Sequence, residues 1–166
     1  MKFFLIGMPG SGKTTIGKQL ASDLALPFVD LDHELEAREN KSVREIFSEL
    51  GEDHFRMLES QLLLEWAGSD KTFVMATGGG SPCFYNGIEI INRSGTSIFL
   101  DVPVKDLISR VSKKTDRPLL NITDEVALRA KLEKLRESRL SVYNKAHIVV
   151  QNPSVASLRE KLKLKM

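Results

Sequence analysis

The sequence predicts an α/β fold, a parallel sheet covered by helices on both faces. Two observations carry that reading. Short apolar runs alternate with amphipathic helical stretches along the whole chain. A glycine-rich turn, Gly7-Met8-Pro9-Gly10-Ser11-Gly12, joins the first apolar run to the first helical stretch. Strands of a parallel sheet are buried on both faces and so read as nearly unbroken apolar segments. A chain of 166 residues suits one domain spanning residues 1–166, with a core that needs neither metal nor disulfide.

Phe3–Ile6 reads as the first strand. Thr14–Leu26 has apolar residues at Ile16, Leu20 and Leu24, the spacing of one helical face. Pro27 restarts the chain, and Phe28-Val29-Asp30 makes a short second strand. Ser42–Leu50 and Asp53–Ala67 follow as helices, with Ser42 and Glu45 spaced as a capping box. Thr72–Ala76 is a third strand that runs into Gly78-Gly79-Gly80. Phe84–Asn92 reads as a helix, Thr96–Leu100 as a strand and Val104–Val111 as a helix. The polar stretch Ser112–Pro118 precedes a long helix, Asp124–Tyr143, capped by Thr123 or Asp124. His147–Val150 is the last strand, and Ser154–Leu164 the closing helix, capped by Ser154.

Composition excludes several classes. A net charge of +2 gives no electrostatic case for a nucleic-acid partner. No apolar run reaches membrane-spanning length, so no membrane partner is expected. Cys83 is the single cysteine, which removes any intramolecular disulfide and points to a reducing, cytoplasmic setting. Met1–Ile6 has the look of a signal peptide, but the apolar run breaks at Gly7. His33, His54 and His147 lack metal-ligand spacing. A monomer is expected.

Gly7–Thr14 fits the phosphate-loop template G-x-x-x-x-G-K-[ST]. Glycines let consecutive backbone N–H groups turn inward toward phosphate oxygens, and the helix N-terminus behind them adds partial positive charge. Lys13 would neutralise β- and γ-phosphates of a nucleotide, and the Thr14 hydroxyl would ligate Mg²⁺. Ligands of such sheets bind beyond the carboxyl ends of the strands. Asp30 and Asp32 close the second strand there, and Gly78–Gly80 the third. If the chain stays extended, Asp30 and Asp32 point the same way. One could hold water on the metal while the other takes a proton from an acceptor hydroxyl; alternatively, Asp32 is a helix N-cap. Arg56 is either an anion clamp or a surface ion pair with Glu52 or Glu59. The triple glycine either lets a ligand come close or marks a mobile loop. Arg117 is either a cation that closes over phosphates or part of a solvated connector.

In this order and spacing, the motifs resemble those of shikimate kinase. They are Gly7–Thr15, Phe28-Val29-Asp30-Leu31-Asp32, Phe55-Arg56-x-x-Glu59, Thr77-Gly78-Gly79-Gly80, Arg110 with Arg117-Pro118-Leu119-Leu120, and Arg139-x-x-x-Tyr143. The resemblance implies a three-layer P-loop kinase fold with a five-stranded parallel sheet. It implies ATP-dependent phosphorylation of the shikimate 3-hydroxyl, with Mg²⁺. Lys13, Asp32 and Arg117 would be catalytic. Gly10, Ser11, Gly12, Lys13, Thr14, Thr15, Arg110 and Arg117 would bind ATP, with Thr14 and Asp30 at the metal. Asp32, Arg56, Gly78, Gly79, Gly80 and Arg139 would bind shikimate, with Phe47 and Phe55 packed against its ring. Residues of about 31–60 would form the acceptor-binding helices, and about 112–123 a lid. Gluconate kinase and nucleoside-monophosphate kinases share the fold, but their acceptors do not call for Arg56 and Arg139 together beside Asp32. A non-catalytic nucleotide-binding module would not need the Asp30–Asp32 pair. Two stretches depart from the family pattern. Ser81-Pro82-Cys83-Phe84 is bulkier, and Gln151–Ser154, where an adenine contact is often found, is short.

Overall fold

A computed structural model describes residues 1–112 and 122–163. Five strands form one sheet: β1 (Lys2–Ile6), β2 (Phe28–Asp30), β3 (Phe73–Ala76), β4 (Thr96–Asp101) and β5 (Ile148–Gln151). Their order is β2-β3-β1-β4-β5, and every pairing is parallel. The helices among the described residues are α1 (Lys13–Leu24), α2 (Leu31–Glu39), α3 (Val43–Leu50), α4 (Glu52–Gly68), α5 (Gly87–Ser94), α6 (Val104–Ser112), α7 (Ile122–Tyr143) and α8 (Val155–Lys163). None is long and apolar enough to cross a membrane.

The alternation of side chains along each strand builds two cores. Phe4 and Ile6 of β1 join Phe73, Met75 and Phe99 beneath α2, α4, α5 and α7. Phe3 and Leu5 join Val74, Ile98, Leu100 and Val150 against α1 and α8, through Ile16, Leu20, Leu158 and Leu162. Three layers result, as the apolar runs imply. The run that looks like a signal peptide is the central strand. Phe4 is fully buried, so Phe4→Ala would cost about 3–5 kcal/mol in lost transfer energy and cavity.

Local signals place most element ends. Ser42 Oγ accepts the Glu45 N–H at 3.1 Å, and Ser154 Oγ accepts the Ser157 N–H at 3.1 Å. Four expectations need correction. The N-cap of α2 is Asp30, whose Oδ1 accepts the His33 N–H at 3.2 Å; Asp32 lies in the first turn. The chain is therefore not extended between the two aspartates. Phe84–Asn92 is not one helix. A 3₁₀ turn occupies Ser81–Cys83, Phe84 is extended, Tyr85 and Asn86 have φ of 49° and 59°, and α5 starts at Gly87. The long helix begins at Ile122, which puts Thr123 and Asp124 inside it. His147 precedes β5 and exchanges backbone–side-chain hydrogen bonds with Ser97.

Candidate active site

The carboxyl ends of β1, β2 and β3 meet in one crevice. Thr77 locks two of them, because its N–H and its hydroxyl both donate to Leu5 O, at 3.2 and 2.9 Å. The glycine-rich turn leaves β1 and enters α1. Gly10 and Gly12 have φ of 81° and 95°, the left-handed region where a side chain is strained. Lys13 Nζ donates to Gly7 O at 2.8 Å and Met8 O at 3.0 Å, so its stem wraps the turn. Burial pushes this ammonium down to about 8; Asp32 and Asp30 pull it back up, and Arg139 pushes it further down. Thr14 Oγ1 donates to Asp30 Oδ2 at 3.3 Å. Asp30 thereby ties the phosphate loop to the start of α2. Ser11 Oγ is buried without a hydrogen-bond partner among the described residues.

A cleft of about 600 Å³ runs along the outer side of the loop. It is walled by Gly10, Gly12–Ile16, Arg110 and Pro153–Val155. Arg110 Nη1 donates to Gly10 O at 3.0 Å. The short connection after β5 thus contributes Pro153 and Ser154, and α8 its first residue, Val155; the sequence marked Gln151–Ser154 as the stretch where the family often contacts adenine but placed no contact in it.

On the other side of Lys13 lies an acidic and basic cluster. Asp32, in the first turn of α2, has its carboxyl pushed up to about 6. Burial is the main cause, Glu59 and Asp30 add to it, and Lys13 opposes it. Arg56 of α4 is only 7% exposed. Its Nη1 donates to Glu59 Oε1 at 3.0 Å, and its Nε lies 3.5 Å from Glu52 Oε1. Both ion-pair partners foreseen from sequence are real, but the pair with Glu59 is buried rather than a surface bridge. Arg56 Nε has no hydrogen-bond partner among the described residues. Phe47 and Phe55 stack on each other at 4.5 Å and face the Arg56 guanidinium. Phe55 is 3% exposed and Phe47 37%, so Phe47 has the more open face.

Gly78–Gly80 runs through this cluster, and close approach is why these residues are glycines. A Cβ on Gly78 would sit 2.8 Å from Glu59 Oε2 and 3.1 Å from Asp32 Oδ1. One on Gly79 would meet Arg139 Nη1 at 3.0 Å, and one on Gly80 would lie 2.6 Å from Arg56 Cζ. None of the three has positive φ. The segment is packed between helices, unlike a free loop. Tyr143 is fully buried and donates to Gly79 O at 2.6 Å. Burial pushes its phenol up to about 12, against the pull of a hydrogen bond with Arg139. Asp32, Arg56, Arg139, Lys13 and the triple glycine are thus one constellation.

Glu59 and Tyr143 occur in the sequence motifs without an assigned role. Their spacings from Arg56 and Arg139, three and four residues on a helix, were the available signal. Arg117 lies outside the described residues, as does most of the expected lid; Ser112 ends α6, and Thr123 lies in α7. Among the described residues no three His, Cys, Asp or Glu side chains gather as a metal site.

The chain matches the family model described as shikimate kinase over residues 9–163. A shikimate kinase from Bacteroides fragilis is 43% identical over 150 residues, which cover 90% of this chain and 83% of that protein. The crystal structure of shikimate kinase from Bacteroides thetaiotaomicron superposes with a TM-score of 0.88 at 37% identity, covering 98% of both chains. Shikimate kinase from Acinetobacter baumannii, solved in complex with shikimate, gives a TM-score of 0.85 at 30% identity. That match covers 99% of this chain and 92% of the other.

Proposed function

We propose that this chain, which belongs to the shikimate kinase family, performs the family's reaction with the constellation around Lys13, Asp32 and Gly78–Gly80. It is an ATP-dependent kinase that phosphorylates the 3-hydroxyl of shikimate, in the biosynthesis of aromatic amino acids. The observation that carries the residue assignment is the meeting of a half-buried carboxylate, two guanidinium groups and a close-packed glycine backbone beside the phosphate loop. Shikimate has one carboxylate and three hydroxyls. Guanidinium forks suit the first; a carboxylate and backbone N–H groups suit the others.

Gly10–Thr15 cradle the ATP phosphates, and the buried Ser11 hydroxyl, without a partner among the described residues, fits a phosphate-binding turn. The adenine lies in the cleft between Arg110 and Pro153–Val155. The Thr14 hydroxyl and the Asp30 carboxylate, 3.3 Å apart, fit Mg²⁺, which takes one or two protein oxygens beside substrate phosphates. When bound, the ion supplies positive charge to the β- and γ-phosphates. Arg56 and Arg139 hold the acceptor carboxylate. Asp32 and the Gly79 N–H hold its hydroxyls, within a site formed by α2–α4 and the triple glycine. Asp32 accepts the proton of the 3-hydroxyl as that oxygen bonds to the γ-phosphorus. The bond from the γ-phosphorus to the β–γ bridging oxygen breaks, and ADP leaves. Lys13, and Arg117 from the lid segment, neutralise the charge that builds on the transferring group.

ADP release measured with shikimate, gluconate and nucleoside monophosphates tests the acceptor. Shikimate alone should accelerate it. Equal rates with all three, or none with shikimate, would remove the reading.

A further inference from the structure

The segment Ser81–Phe84 meets Arg56 in the fold. Ser81 Oγ donates to Glu59 Oε2 at 2.9 Å, and the other oxygen of Glu59 accepts Arg56 Nη1 at 3.0 Å. Phe84 leaves the 3₁₀ turn in an extended conformation, with φ −117° and ψ 146°. That conformation sets its ring over the guanidinium, with the centroid 4.3 Å from Cζ. Phe55 and Phe47 are farther, at 5.1 and 6.0 Å. The next two residues, Tyr85 and Asn86, turn through left-handed backbone, a conformation that costs non-glycine residues energy. The chain accepts that cost at the point where Phe84 is delivered.

We propose that Phe84 is a positioning residue for the acceptor, acting through the plane of the Arg56 guanidinium; this rests on the reading that Arg56 binds the shikimate carboxylate. A carboxylate meets a guanidinium fork only in the plane of its N–H donors. One hydrogen bond to Glu59 fixes a point on that plane, not its tilt. The Glu52 contact is loose, at 3.5 Å to a side chain 57% exposed. A ring stacked on the face fixes the tilt and uses no donor, because all five donors lie edge-on. It also keeps water off that face, which strengthens any ion pair made at the edge. Phe84 is half-buried and belongs to neither core cluster, so its side chain is not explained by core filling.

Phe84→Leu keeps apolar bulk but has no π face, and Phe84→Tyr keeps the face. Each is made alone and with Arg56→Lys, whose ammonium has no plane to hold. KM for shikimate, KM for ATP, kcat and the thermal midpoint are measured for each. Phe84→Leu should raise the shikimate KM about three- to tenfold with ATP KM unchanged, and Phe84→Tyr should restore it. In the Arg56→Lys background the same change should have less than about a twofold effect. An equal rise in both backgrounds, or no rise, overturns the role of Phe84. If Arg56→Lys itself leaves the shikimate KM unchanged, the reading of Arg56 has failed, and the two failures are distinct. Should Phe84→Leu lose the fold by circular dichroism, Phe84→Met makes the same comparison.

Discussion

Replacing Asp32 by Asn should make the protein more stable and nearly inactive at the same time. Burial and the neighbouring Glu59 and Asp30 raise this carboxyl from 3.8 to about 6. Between those values the folded chain binds more protons than the unfolded one, so stability falls as pH rises through the window. Above pH 6 the folded protein carries the full cost of an ionised Asp32. A two-unit shift corresponds to about 3 kcal/mol, and partial solvent access reduces it to about 1–3 kcal/mol. Asn carries no such cost. Asp32→Asn should therefore raise the melting temperature at pH 8 by about 3–10 °C for a domain of this size. The gain should shrink toward zero as pH approaches 4. Phosphoryl transfer should fall by a factor of about 10²–10⁴, the usual contribution of a positioned proton acceptor. Calorimetric scans of both proteins between pH 4 and 8, with a coupled ADP assay, measure the two effects together. Comparing variant with parent cancels the titration of groups that do not interact with Asp32; Lys13, which Asp32 pulls up, is the exception near pH 8. A variant less stable than the parent at pH 8, or a gain independent of pH, would refute the claim that Asp32 is held ionised at a cost.

The other site residues give separate outcomes. Lys13→Ala should lower kcat about 10²–10³-fold with the circular dichroism spectrum unchanged. In the parent, kcat/KM for ATP should decline above about pH 8 as the depressed Lys13 ammonium loses its proton. Tyr143→Phe removes the donor to Gly79 O and a partner of Arg139. It should destabilise the fold by about 1–3 kcal/mol in chemical denaturation, and raise the shikimate KM more than the ATP KM. Arg117→Ala should lower kcat sharply while shifting the shikimate KM less, in steady-state assays with either substrate varied.

The strands were legible because a doubly covered parallel strand has no polar face, as the runs read at Phe3–Ile6 and Thr72–Ala76 have none in the fold beyond Thr72. Caps were legible where one candidate stood alone, as Ser42 and Ser154 did. At Asp30 and Asp32 two carboxylates sit two residues apart, and in the fold it is Asp30 that caps α2 while also accepting the Thr14 hydroxyl. The misread helix at Phe84 has a tertiary cause. Its apolar spacing fits a helix, but Phe84 is drawn out to Arg56, and the helix waits for Gly87. Arg56, Glu59 and Ser81 form a relay whose longer link joins residues 22 apart, which no local pattern encodes. The proximity of Asp32 to Gly78 followed from strand ends alone; the burial of Gly78 and the partial burial of Asp32 did not.

The strand order has a bearing on how the molecule comes to exist. β1 is made first but lies in the middle, and its neighbours β3 and β4 begin at residues 73 and 96. A growing chain made only as far as Leu50 holds the whole phosphate loop with no sheet to rest on. Both edges of β1 must wait for contacts of long sequence separation, whose closure entropy is met before any pairing is gained. Nucleotide affinity should therefore emerge late and abruptly during synthesis, once β4 has docked. Until then, Lys2–Ile6 is an apolar strand with both backbone edges unpaired, open to misassociation.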